Sequence, residues 1–135
     1  MPDTPLAKKL RILPGSRVLI LGAPQGFAQT LDPLPEGTTI AARPDGTYDI
    51  VLAFAGDSAQ LAAVRDAAIA ATKPGGALWF AYPKKSTGKG DLQRESVWEL
   101  VRPTGWGPVA QIALDETWSA LRFKPEREIT RGGHG

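Results

Sequence analysis

The 135-residue chain has no cysteine, one histidine and one methionine, and each scarcity removes a chemistry. Without cysteine there is no disulfide, no thiolate metal site and no cysteine nucleophile, a usage that agrees with a reducing compartment. The single histidine, His134, lies in the polar, glycine-rich end segment, so no histidine-based active site and no His/Cys metal centre is expected. Long apolar runs are also missing. Val18–Leu21 and Ile50–Ala55 fall far short of the roughly 20 residues that cross a bilayer. The N-terminal residues carry no signal-peptide core, and the expectation is a soluble, cytoplasmic protein with no membrane contact. A net charge of +2 and a pI near 9.1 do not imply a generally basic nucleic-acid surface, so any basic contact has to be local.

What is present is an alternation of strand and helix patterns. Val18-Leu19-Ile20-Leu21 runs directly into Gly22-Ala23-Pro24-Gln25-Gly26-Phe27. A continuous apolar run suits a parallel strand buried on both faces, and glycines at its C-terminal end let backbone amides approach a ligand. A short amphipathic helix is expected over Thr4–Leu13, stopped by Pro14-Gly15, and another from Phe27 to about Leu31. Thr38–Ala42 reads as a weaker strand. Tyr48–Ala55 reads as a strong one, with Asp49 capping its start. The clearest helix spans Ala59–Thr72, capped by Asp57 or Ser58, with Pro74-Gly75-Gly76 after it. Ala77–Tyr82 is a third central strand, followed by a helix from Asp91 to about Arg102. Val109–Leu114 and Thr117–Lys124 alternate as a terminal antiparallel hairpin. Trp79, Phe80 and Trp98 are expected in the core, whereas Trp106 and Trp118 sit at turns and can line a pocket.

The expected fold is therefore α/β: a three-layer, Rossmann-like, mainly parallel sheet with a C-terminal antiparallel hairpin. One domain over residues 1–124 and a mobile tail over 125–135 complete the expectation. The peptides LPGSRVLILGAPQGF, YDIVLAF, TKPGGALWFAYP and GWGPVAQIALDETWSALRF resemble, in that order, four segments of the SAM-dependent methyltransferase fold. These are the first strand and loop, the fourth strand, the turn into the fifth strand, and the closing hairpin. The combination LGAPQGF, AYPKKSTG and DETWSALRF further resembles short bacterial proteins of unknown function, DUF3052-like. The resemblance spans about residues 10–124.

The resemblance implies a cofactor loop at Gly22, Ala23, Gly26 and Phe27, and SAM as its cofactor. Three departures oppose a complete site. Pro24 takes the middle position of the family's G-x-G-x-G spacing, which removes one amide donor and stiffens the turn. The second strand ends in Ala41-Ala42-Arg43-Pro44 where the family carries an acid for the ribose, and the nearest acid, Asp45, is expected in an Asp45-Gly46 turn, a poor substitute. Only Pro44–Thr47 separate that strand from the next, too few for an ordinary crossover, so the family's third strand region is absent. The short strand is either very short and parallel, or antiparallel.

A second candidate surface is an anion or partner site formed by Lys84, Lys85 and Lys89 together with Asp115, Glu116 and Trp118. The lysines can hold a phosphate or nucleic-acid backbone locally, although a solvated lysine-rich loop explains them equally. Asp115 and Glu116 beside Lys84 and Lys85 are either an acid–base group or, more simply, an ion-pair cluster fixing two loops. No catalytic residue is assigned and no metal site is expected. The favoured functional reading is a non-catalytic, methyltransferase-like binding or interaction module using the C-terminal face of the sheet. The alternative is a minimal SAM-dependent methyltransferase, with Asp49 or Asp57 near the second half of its site and a homodimer completing the missing wall.

Overall fold

The apolar runs form the middle of a six-stranded sheet. The computed structural model describes residues 6–31, 34–84 and 92–128, without the side chains of Ala28 and Glu128. In chain order the elements are α1 (Leu6–Lys9), β1 (Arg17–Leu21), a 3₁₀ helix (Phe27–Leu31), β2 (Thr39–Ala41), β3 (Tyr48–Phe54), α2 (Ser58–Ala71), β4 (Thr72–Pro83), α3 (Arg94–Val101), β5 (Trp106–Ala113) and β6 (Trp118–Pro125). The strand order is β2-β1-β3-β4-β6-β5. The first four strands are parallel, and β6 runs antiparallel to both β4 and β5.

Each central strand is buried on both faces because successive side chains alternate between two layers. Leu19, Val51, Leu78 and Phe80 pack under α2 and α3 with Leu61, Ala68, Val97 and Val101. Val18, Ile20, Leu52 and Trp79 pack on the opposite face with Leu10, just after α1, and with Phe27 and Leu31 of the 3₁₀ helix. The expected three-layer α/β architecture is thus realised.

The strand over residues 39–41 is parallel and only three residues long. Its shortness permits the abrupt connection that follows. Ala41 lies level with Leu19, and β3 is already paired with β1 at Val18, so the chain has little height to recover. Crossing two strand spacings needs about 10 Å, within reach of a six-residue link of roughly 20 Å extended length. Arg17 holds that link in place. Its Nε donates to Thr47 O at 3.2 Å and its Nη2 to Asp45 O at 2.8 Å, while its guanidinium stacks 4.5 Å from the Tyr48 ring centroid.

Other boundaries differ from the pattern-based expectation for identifiable reasons. Within the described residues α1 ends at Lys9 rather than Leu13, because Arg11 turns into the left-handed region at φ 69°. Asp57, not Ser58, caps α2 and accepts the Gln60 N–H at 2.9 Å. Strand β4 starts at Thr72, directly after the helix, and the Lys73–Gly76 stretch is accommodated as an irregularity opposite Tyr48–Ile50. Asp91 lies outside the described residues, and α3 is capped at Gln93 with Ser96 answering the cap amide. Its buried residues are Val97 and Val101, which turns Trp98 outward, 39% exposed, with Arg102 5.8 Å from its ring. The expected core role of Trp98 is therefore corrected. Of the expected tail, Pro125 pairs with Trp106, and Glu126 donates to Gly105 O at 2.7 Å to start a 3₁₀ turn over residues 126–128. Residues 129–135 lie outside the described residues.

Candidate functional site

The C-terminal ends of the parallel strands carry most of the candidate residues. At the end of β1, Gly22 adopts φ 70°, which favours glycine, and a Cβ there would also lie at a tight 3.3 Å from Phe54 O. Gly26 adopts φ 86° with open space around it, so only its backbone conformation favours glycine. Ala23 is exposed in the loop between them. Phe27 then buries itself and opens the 3₁₀ helix, where Thr30 Oγ1 donates to Phe27 O at 2.6 Å.

Three aromatic rings link the β1 loop to the final hairpin. Phe27 meets Phe54 edge-on at 4.9 Å between centroids, and Phe54 meets Trp118 edge-on at 5.0 Å. Such contacts add about 0.5 to 1.5 kcal/mol each beyond simple burial. They align the end of β3 with the loop after β1 and the start of β6. A groove of about 280 Å³ lies against this row, lined by Gly26, Phe27, Thr30, Asp115 and Trp118 among others.

Asp115 is a turn-former. Its Oδ1 accepts the Thr117 and Trp118 amides at 2.7 and 2.8 Å, closing the β5–β6 hairpin. Glu116 is exposed at the tip. The hairpin and the end of β4 do meet as expected, through the backbone: Lys84 N–H donates to Thr117 O at 2.7 Å. Lys85 and Lys89 lie outside the described residues.

Pattern reading missed a polar chain on the other face of this edge. Gln111 Nε2 donates to the Tyr82 hydroxyl at 3.0 Å, and Arg94 Nη1 reaches Gln111 Oε1 at 3.4 Å. Burial is the main cause raising the Tyr82 pKa. These residues and Lys84 border a second groove of about 240 Å³. The only advance signal was a tyrosine at the end of an otherwise apolar strand.

The edge fits SAM poorly. Strand β2 runs out in Ala41, Ala42 and Arg43, with no carboxylate for a ribose. The nearest acid in sequence, Asp45, lines a groove with Ala41, Ala42 and Arg43, and its backbone is tied down, the carbonyl accepting from Arg17 and the amide donating to the Tyr48 hydroxyl at 3.0 Å. The helix after the β1 loop is a five-residue 3₁₀ turn, so the amides and dipole that an α-helix N-terminus offers a ligand are reduced. Asp49, proposed for a methyltransferase site, is corrected by its position. It lies at the N-terminal end of β3, accepts the Arg17 N–H at 2.8 Å and pairs with Lys73. Among the described residues no group of three or more His, Cys, Asp or Glu side chains could hold a metal, and no helix is long and apolar enough to span a membrane.

The strand order, the closing hairpin and the layered helices define a Rossmann-like, methyltransferase-type fold. The ribosomal protein L11 methylase of Lactobacillus delbrueckii subsp. bulgaricus is similar over 90% of this chain and 75% of its own, with a TM-score of 0.61 and 10% identity. A DhpI–SAH complex is similar over 90% of this chain and 82% of its own, at TM-score 0.60 and 14% identity. The fibrillarin pre-rRNA processing protein of Methanococcus jannaschii is similar over 93% and 70%, at 0.61 and 12%. Identities this low establish the fold alone. No family model and no curated sequence relative matches the chain, so the DUF3052-like resemblance rests on its three peptides.

Proposed function

We propose that the chain is a non-catalytic methyltransferase-like domain that binds a ligand or partner at the C-terminal edge of its sheet, between the Gly22–Phe27 loop and the Asp115–Trp118 turn. The observation that carries this reading is the contrast between a complete two-sided core and a reduced cofactor edge. The core keeps Leu19, Val51, Leu78 and Phe80 fully buried. The edge has Pro24 in the loop, Ala41-Ala42-Arg43 after β2, and six residues in place of a full crossover. The groove beside Trp118 supports a binding role, because an aromatic row with a nearby carboxylate and hydroxyl combines apolar contact with orienting polar groups.

Calorimetric titration with S-adenosylhomocysteine, alongside a short nucleic acid at two salt concentrations, tests this reading. It predicts no saturable S-adenosylhomocysteine binding. Micromolar, saturable binding would instead favour the minimal methyltransferase, with Gly22 and Gly26 at the cofactor and a second copy completing its wall. A nucleic-acid signal that fades steeply with salt would show a phosphate-backbone contact.

A further inference from the structure

The sheet face under α3 ends in polar groups that its apolar core does not need. Strand alternation carries Leu78, Phe80 and Tyr82 of β4 onto this face, where Tyr82 is 4% exposed. The antiparallel ladders set Ser119 opposite Tyr82 and Gln111 opposite Leu121, and cross-strand partners share a face. Arg94, the first residue of α3, closes the row by donating to Gln111 Oε1 at 3.4 Å.

The Tyr82 hydroxyl accepts from Gln111 Nε2 at 3.0 Å, and among the described residues no acceptor answers its own proton. Burial, the first cause raising its pKa, keeps that proton in place at neutral pH. Arg94 has a hydrogen bond near the outer limit of length and no ion pair among the described residues. A carboxylate oxygen is a better acceptor for it than an amide, because charge-assisted hydrogen bonds are about twice as strong as neutral ones.

Tyr82 and Arg94 border the groove of about 240 Å³ on this face, together with Lys84 and Glu95. Two cations and one carboxylate leave one positive charge over, which matches a singly charged anion better than a phosphate dianion. A neighbouring groove, also of about 240 Å³, shares Arg94 and Gln111 and is otherwise lined by Pro108, Val109, Ala110 and Leu121. The two grooves therefore join at the Arg94–Gln111 contact, with donors and charge on one side and apolar surface on the other. A few convergent polar groups beside apolar lining are what a small-molecule site requires.

We propose that the joined grooves bind a small monocarboxylate: Tyr82 and Arg94 take its carboxylate, and its hydrocarbon chain lies over Pro108, Val109 and Ala110. On binding, Arg94 exchanges Gln111 Oε1 for a carboxylate oxygen. The site goes beyond the role proposed above, since it lies on the α3 face, whereas Trp118 packs on the α1 face.

Titration of the full chain with sodium hexanoate, followed by backbone and side-chain amide resonances at constant ionic strength, tests the site; acetate and hexanamide are parallel arms. Saturable movement is expected at the Gln111 side-chain amide and at the Val109 and Ala110 backbone amides. Acetate lacks the chain and hexanamide lacks the charge, so each should bind about tenfold more weakly. R94Q changes an exposed residue and should weaken hexanoate about tenfold. Y82F keeps the buried ring and should weaken it about fivefold; if this variant does not fold, R94Q decides alone. No saturable movement at these three residues overturns the site, as does hexanoate affinity unchanged in R94Q. Hexanamide binding as tightly as hexanoate overturns the carboxylate role, and acetate doing so overturns the apolar half.

Discussion

The Asp49 carboxylate accepts the Arg17 backbone N–H at 2.8 Å and also pairs with Lys73, so one side chain joins the N-terminal ends of β1, β3 and β4. The Arg17 hydrogen bond is the main cause holding the Asp49 pKa below its ordinary value of 3.8, with the Lys73 hydrogen bond next. Because the folded value is the lower one, this stabilisation is complete above 3.8 and drains away as pH falls through the folded-state value. D49N is expected to lose about 1 to 2 kcal/mol at neutral pH, with the gap to wild type closing in acid. Urea denaturation across that range checks it, and a gap independent of pH contradicts it.

Gly22 and Gly26 are both left-handed, but only Gly22 faces a neighbour at short range, Phe54 O. G22A should therefore cost about 2 kcal/mol and G26A about 1 kcal/mol. Chemical denaturation of the two variants measures the difference. Equal costs would remove the packing argument for Gly22.

Asp115 has the geometry of a turn-former, and its substitution should be read first as a stability effect. D115A, which removes the acceptor for two amides, should cost about 1 to 2 kcal/mol. D115N keeps an Oδ1 and should lose less than half of that. Equal losses in the two variants would show that the carboxylate charge matters more than the turn it closes.

Trp79 is 1% exposed and donates to Leu10 O from within the core. W79F should cost about 2 to 3 kcal/mol, because it leaves a void and an unanswered carbonyl. Amide hydrogen exchange should then accelerate at Leu10 and Ile12, whose segment is tied to the sheet by this bond. Unchanged protection there would show that α1 docks by apolar contact alone.

The central strands are legible in the sequence because Val18–Leu21 and Ile50–Phe54 need burial on both faces, and a continuous apolar run states that locally. The direction of Thr39–Ala41 is not legible, since it depends on how little height the crossover must regain, a property of the assembled sheet. Trp98 misleads because α3 starts at a Gln93–Ser96 cap, and the phase that buries Val97 and Val101 turns the neighbouring indole outward. At the candidate site the departures at Pro24 and Ala42 can be read directly. The Phe27–Phe54–Trp118 row cannot, because its members come from three distant segments that only the strand order aligns.

The central claim is that a methyltransferase-type fold here keeps its core without a working cofactor edge. The most direct measurement follows backbone amide resonances while S-adenosylhomocysteine is added in large excess. No saturable movement is predicted at Gly22, Ala23, Gly26 or Ala42. Saturable shifts clustered at those four residues would contradict the account and identify the edge as a cofactor site.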